Sequence, residues 1–151
     1  MIKRLSALSA CIQITVLLSS SAYALDYRLQ QRKGTAQWEC AALSDILDNG
    51  KFEIFFRLGL KNLQDVYSAA IGGKMSAKDY DHFSWIIRDH KKGISPDFLL
   101  GAEWVQRRNS IREIMPVRDS KTQTLEQWRG DRLYRADEEF RKRNCDLLQS
   151  N

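Results

Sequence analysis

Three side chains in this sequence could join to one another covalently: Cys11, Cys40 and Cys145. Cys11 lies in an apolar stretch behind a basic start and leaves the chain if that stretch is a cleaved leader. Cys40 and Cys145 would then meet an oxidising compartment, where an even pair favours a bridge. The two are 105 positions apart, one in the first expected helix and one near the end of the last. A bridge between them would close nearly the whole domain into one loop, and in the chain-entropy picture a loop of about 100 residues is worth up to roughly 4.7 kcal/mol. The alternatives are two separate buried thiols, or pairing between chains into a covalent dimer.

Other chemistry is sparse. His82 and His90 are the only histidines, eight positions apart. On one helix that spacing separates the rings by roughly 12 Å, too far to share a metal ion, so they read as surface histidines. Neither a GxSxG nor an HExxH pattern is present. Gly72-Gly73-Lys74-Met75-Ser76 superficially resembles a phosphate loop, but it follows a helix and lacks the second half of the motif. Glu103 is an acid in an apolar helix with Asp97 six positions earlier. Local roles account for both: Asp97 faces the positive end of the helix dipole, and Glu103 pairs with Arg107 one turn on. Hence no catalytic residue, metal ligand or cofactor is assigned.

Arg107, Arg108, Arg112 and Arg118 form one basic cluster. Arg129, Arg132, Arg135, Arg141, Lys142 and Arg143 form another, interleaved with Asp131, Asp137, Glu138 and Glu139. Interleaving marks a solvated, salt-bridged face and not a nucleic-acid track, while an acidic protein or an anionic envelope component stays possible as a partner.

The address is written at the N-terminus. Met1-Ile2-Lys3-Arg4 is basic, Leu5 to Leu18 is mostly apolar and uncharged, and Ala22-Tyr23-Ala24 offers a signal-peptidase site. Cleavage is expected between Ala24 and Leu25, removing residues 1–24. Leu8-Ser9-Ala10-Cys11 resembles a lipoprotein box, but the apolar run continues well past Cys11. With Lys3 and Arg4 gone, the 24 basic residues become 22 against 19 acidic ones. The expected product is a single domain, residues 25–151, periplasmic in a Gram-negative cell or secreted, with no transmembrane segment in the mature chain.

What must position these residues is an all-α fold, a compact bundle of four to six helices. Residues 25–34 are polar, basic and without periodicity, and read as a loosely ordered lead-in. Thr35 caps a first helix to about Asp48. Phe52, Phe55, Phe56, Gly59, Leu60, Leu63, Val66, Tyr67 and Ala70 give the second helix its stripe. Ser76 and Asp79 open a third helix with Tyr80, Phe83 and Ile87 inward, joined by Trp85 and Ile86. Ile94-Ser95-Pro96-Asp97 carries a staple, an N-cap, an N1 proline and a first-turn acid, and predicts a central, buried fourth helix. Thr124 with Gln127 opens the fifth, in which Gly130 marks a kink or a break. Gly59 and Gly101 sit inside strongly apolar helices, which predicts that helices two and four cross at these two residues.

Cys40-Ala41-Ala42, Phe56-Arg57-Leu58-Gly59, the run Ser95 to Gly101, and Asn144-Cys145 together resemble small exported bacterial helical proteins of unassigned function. Those have a signal peptide and one cysteine near each end of the mature chain. The resemblance covers most of residues 38–148 and implies a fold and a compartment but no activity. The function expected is that of a small interaction or accessory protein, an inhibitor- or immunity-type module with a protein partner in the cell envelope. One of Trp38, Trp85, Trp104 or Trp128, left exposed, would serve as its anchor. The rival is a small enzyme or ligand carrier with a pocket between helices. N-terminal sequencing of the exported protein is expected to read Leu-Asp-Tyr, and an acylated cysteine at that end would refute the cleavage site.

Overall fold

The computed structural model describes residues 26–80 and 93–149. Among them are helices α1 (Tyr27–Leu47), α2 (Phe52–Ile71), α3 (Ala77–Tyr80), α4 (Pro96–Glu113) and α5 (Leu125–Lys142), then a 3₁₀ helix (Cys145–Gln149). No strand occurs among the described residues. Ala24, Leu25, His82, Phe83, Trp85, Ile86, Ile87 and His90 lie outside them.

Helix α1 begins a full two turns before Thr35. Asp26 is its N-cap, accepting a hydrogen bond from the Leu29 amide at 3.0 Å, so residues 26–34 are no loose lead-in. The physical reason that periodicity was silent is burial on several sides at once. Gln37, Trp38, Cys40, Ala41, Ala42, Leu43 and Ser44 are all buried, because α1 packs against α2, α4, α5 and the 3₁₀ helix together. A helix surrounded on most sides has no polar stripe to reveal its turn. Thus α1, and not α4, is the central helix. Helix α4 opens as its sequence predicts, with Ser95 accepting from the Phe98 amide at 3.1 Å and Ile94 packing on the same cluster as Leu99. It buries Leu99, Leu100, Glu103 and Ile111 but leaves Phe98 and Val105 exposed.

The glycine crossing exists, between different partners. Gly59 of α2 is buried against α1, where it seats Trp38 beside Gly34. A β-carbon at Gly59 would collide with Trp38 Cδ1 and lie 2.9 Å from the Gly34 carbonyl oxygen, and one at Gly34 would lie 2.7 Å from Leu63 Cγ. Gly101 is exposed on α4 with nothing within 4 Å of its missing side chain. The expected pairing of Gly59 with Gly101 is therefore corrected to Gly59 with Gly34. Gly34 went unread because it fell in the stretch taken as a lead-in.

Around Trp38 the aromatics close ranks. Its ring stacks on Phe56 at 5.8 Å and meets the edge of Trp104 at 5.8 Å, while Phe56 and Trp104 lie 5.1 Å apart. The Trp38 indole N–H donates to the Phe56 carbonyl at 3.0 Å, so no polar atom of the ring is stranded. Two core clusters, one around Leu63 and Val66 and one around Leu43, Phe55 and Phe140, both pack against Phe56 and Trp104.

Helix α5 opens with the full capping box of Thr124 and Gln127, and runs unbroken through Gly130, which is exposed with open space beside it. Asn144 then adopts φ 52°, a left-handed turn that asparagine tolerates, and directs Cys145 back to α1. Cys40 and Cys145 are joined in a disulfide, their α-carbons 5.6 Å apart, which ties the first helix to the last segment as expected. The two glycines make a matched test. Gly59→Ala is expected to lower stability by about 1–3 kcal/mol through overpacking, whereas Gly101→Ala is expected to raise it by up to about 1 kcal/mol. Urea unfolding of the two variants measures both, and effects of equal sign would contradict the assigned packing.

Candidate functional site

Buried carboxylates need cations, and those of this bundle are strung together by arginines. Glu103 of α4 is 6% exposed; it accepts from the Tyr67 hydroxyl of α2 at 3.1 Å and from Arg107 Nε at 2.6 Å. Arg107 Nη1 reaches across to Glu39 Oε1 of α1 at 3.6 Å. The other oxygen of Glu39 accepts from Arg143 Nη1 at 2.8 Å. Arg143 Nη2 stands 3.2 Å from Glu139 Oε2 at the end of α5, and Arg135 Nη2 is 3.1 Å from Oε1 of the same carboxylate. The line therefore runs from α2 through α4 and α1 to α5. Removing any cation would leave a carboxylate short of a partner in a poorly solvated place, which is far costlier than losing a surface pair.

Tyr67 closes the inner end. Burial first, and then the neighbouring Glu103 carboxylate, push its phenol well above the ordinary tyrosine range. The phenol thus stays a donor to Glu103. Its raised value means that its stabilising contribution is full below the ordinary phenol range, near pH 10, and fades only above it.

Beside the middle of this line, at Arg107 and Glu39, a cleft of about 350 Å³ opens between α1 and α4. Arg28, Gln31, Arg32, Thr35 and Ala36 line one side, with Glu39 and Arg107 completing it. Steps of three and four place the α1 residues on a single face. The side chains of Arg28 and Arg32 make no ion pair or hydrogen bond among the described residues. Their placement runs against local preference twice over. Like charges one turn apart repel by about 0.2–0.5 kcal/mol, and a cation in the first turn opposes the helix dipole. At that end of α1 the acid is the capping Asp26, whose carboxylate accepts from the Leu29 amide, and the first turn itself holds none.

A second, wider cleft of about 500 Å³ lies beside the loop before α5. Its polar groups answer one another. Asp119 accepts from the Lys121 amide and the Thr122 hydroxyl, in that order the main reasons its carboxyl is held below the usual range. Gln123 donates to Asp131 at 2.6 Å. That arrangement braces a loop.

The residues singled out from the sequence separate here. Cys40 and Cys145 come together. Asp97 is exposed in the first turn of α4 while Glu103 is buried, so the two acids do not converge. Glu103 pairs with Arg107 as expected. Arg108 faces Asp45 at 3.7 Å and Arg118 donates to the Gln123 carbonyl. Gly72 and Gly73 form the turn that ends α2, without a phosphate-loop geometry. Trp38 is buried and Trp104 half-buried; Trp128 is half-buried, donates to the Pro116 carbonyl at 2.9 Å and carries Arg132 over its ring. None of these three offers a bare anchor. Among the described residues no cluster of histidine, cysteine, aspartate or glutamate could hold a metal ion.

Arg28, Arg32 and Glu39 escaped the sequence reading. Two arginines one turn apart just after a capping aspartate would have been the signal, had Asp26 been recognised as the cap. No family model, curated protein or solved structure matches the chain.

Arg107→Met is expected to lower the unfolding free energy by about 2–3 kcal/mol, below the roughly 3–5 kcal/mol of a fully buried pair because the guanidinium is partly solvated. Adding Glu103→Gln to that variant is expected to restore part of the loss. Strict additivity of the two substitutions in urea unfolding would show that the pair is not coupled.

Proposed function

We propose that this chain is a small exported binding module, an accessory or inhibitor-type protein of the cell envelope, that docks an acidic protein partner on the α1–α4 face. The observation that carries this reading is the pair Arg28 and Arg32. Neither makes an ion pair among the described residues, and both are set beside Arg107 in a cleft. Unanswered charge placed against local preference is the mark of a surface built for something outside the chain. Complementary charge would steer encounter and fix register more than supply raw affinity.

The leader-like N-terminus and the Cys40–Cys145 bridge support export, since such bridges persist in oxidising compartments. No helix of the described residues is long and apolar enough to cross a membrane. A scaffold with a covalent staple and a cross-helix ion-pair line suits rigid presentation of a face. Nucleic acid is not the partner proposed, because three of the basic residues of α5 are paired with acids of the same helix: Arg135 with Glu138 and Glu139, Arg141 with Asp137, and Lys142 with Glu139.

A photo-cross-linking side chain at position 36, between the arginines and Glu39, tests this in intact cells. One stoichiometric protein adduct is expected, and Arg28→Glu with Arg32→Glu should abolish it while the disulfide and helix content remain. A co-purified small molecule in place of any protein adduct would overturn the reading in favour of a carrier or enzyme.

A further inference from the structure

The cleft between α1 and α4 holds more than positive charge. Arg107 is held by its Nε bond to Glu103, and its terminal nitrogens make no hydrogen bond among the described residues. Arg28 and Arg32 add two further guanidiniums, and Thr35 adds a hydroxyl whose side chain is likewise unengaged. Glu39 differs in kind. Its Oε2 is taken by Arg143, but its Oε1 lies 3.6 Å from Arg107, beyond hydrogen-bond length, and accepts no hydrogen bond among the described residues. The lining therefore offers several strong donors and one anionic acceptor in the same small space.

Resting on the docking role proposed above, we infer that this cleft reads an acidic residue of a peptide. Its carboxylate is met by Arg28, Arg32 and Arg107, and a peptide N–H beside it donates to Glu39 Oε1. A planar guanidinium fork matches a carboxylate in two parallel bonds. Phosphate could use the same forks, yet it brings more negative charge against Glu39 and no N–H to offset it. A volume of about 350 Å³ stands at the small end of ligand sites and suits one acidic side chain with its flanking backbone.

The probes are N-acetyl-glutamate amide, monomethyl glutarate, and inorganic phosphate, titrated into the mature disulfide-bonded protein by NMR and calorimetry. Monomethyl glutarate, hereafter glutarate, carries a single carboxylate on the same stem and no N–H. The blocked glutamate is expected to bind about tenfold more tightly than glutarate, the step of one charge-assisted hydrogen bond. Arg32→Gln should weaken all three probes. Glu39→Gln should erase the preference for the blocked glutamate over glutarate and tighten phosphate. If Glu39→Gln perturbs the fold, the carboxylate carbon resonance of Glu39 in the native protein gives the same answer, shifting with the blocked glutamate but not with glutarate. Equal binding of blocked glutamate and glutarate, or tighter binding of all three in Glu39→Gln, would overturn the inference. Either result leaves the docking role standing if the cross-linked protein adduct persists; loss of that adduct as well would defeat both.

Discussion

Trp38 lies against a glycine, and the bundle depends on that seat. An indole is the bulkiest side chain available, and α1 could not approach α2 with one between them unless the facing position had no side chain at all. Gly59 provides the gap, and Gly34 lets the two backbones come together a turn away. Once α1 is seated so closely, Phe56 stacks on the indole and Trp104 of α4 can meet both rings from the edge. The position of α4 follows from that of Trp38. So does the width of the cleft above it, since Arg107 stands one turn beyond Trp104.

The polar line from Tyr67 to Arg135 answers a different need. Apolar packing tolerates small slips of one helix along another, whereas a guanidinium between two carboxylates does not. Buried ion pairs add little net stability against an apolar alternative of the same shape, but they penalise every arrangement that breaks them. Glu103, Glu39 and Glu139 come from three helices, so the pairing sets the relative height of α4, α1 and α5. The cost of placing acids inside the fold is thus tied to a fixed geometry for Arg107, the residue that belongs both to the interior line and to the cleft.

Legibility in the sequence divided along physical lines. Helices with one solvated face announced themselves: the stripe of α2, the Ser95 cap with its proline, and the Thr124 box all stand where their residues predict. Cys40 and Cys145 could be paired because only two cysteines remain once a leader is removed. Helix α1 was half invisible. Its first turns are polar and its middle is buried all round, so neither part shows a period, and a capping aspartate next to an expected leader boundary is easily passed over. The site suffered with it. Arg28, Arg32 and Glu39 share a face only if residues 27–34 are helical, and Gly34 can face Gly59 only on the same condition. The error over Gly101 has the same root, since a glycine in need of a partner was matched to the other one in view.

The disulfide has a mechanical side. Cys40 lies early and Cys145 late in the described chain, and they are covalently one point. Tension between the two ends of the protein would pass through the first turns of α1, the bridge and the short segment after it. Everything between, including α2, α4 and all of α5, lies off the load path. A cut in the exposed loop between Pro116 and Thr124 would likewise separate no fragment, because both pieces stay joined at the bridge. For a protein tugged at its ends, the body formed by α2, α4 and α5 is therefore shielded, whereas the cleft residues of α1, Arg28 to Glu39, stand ahead of the bridge and take the load first.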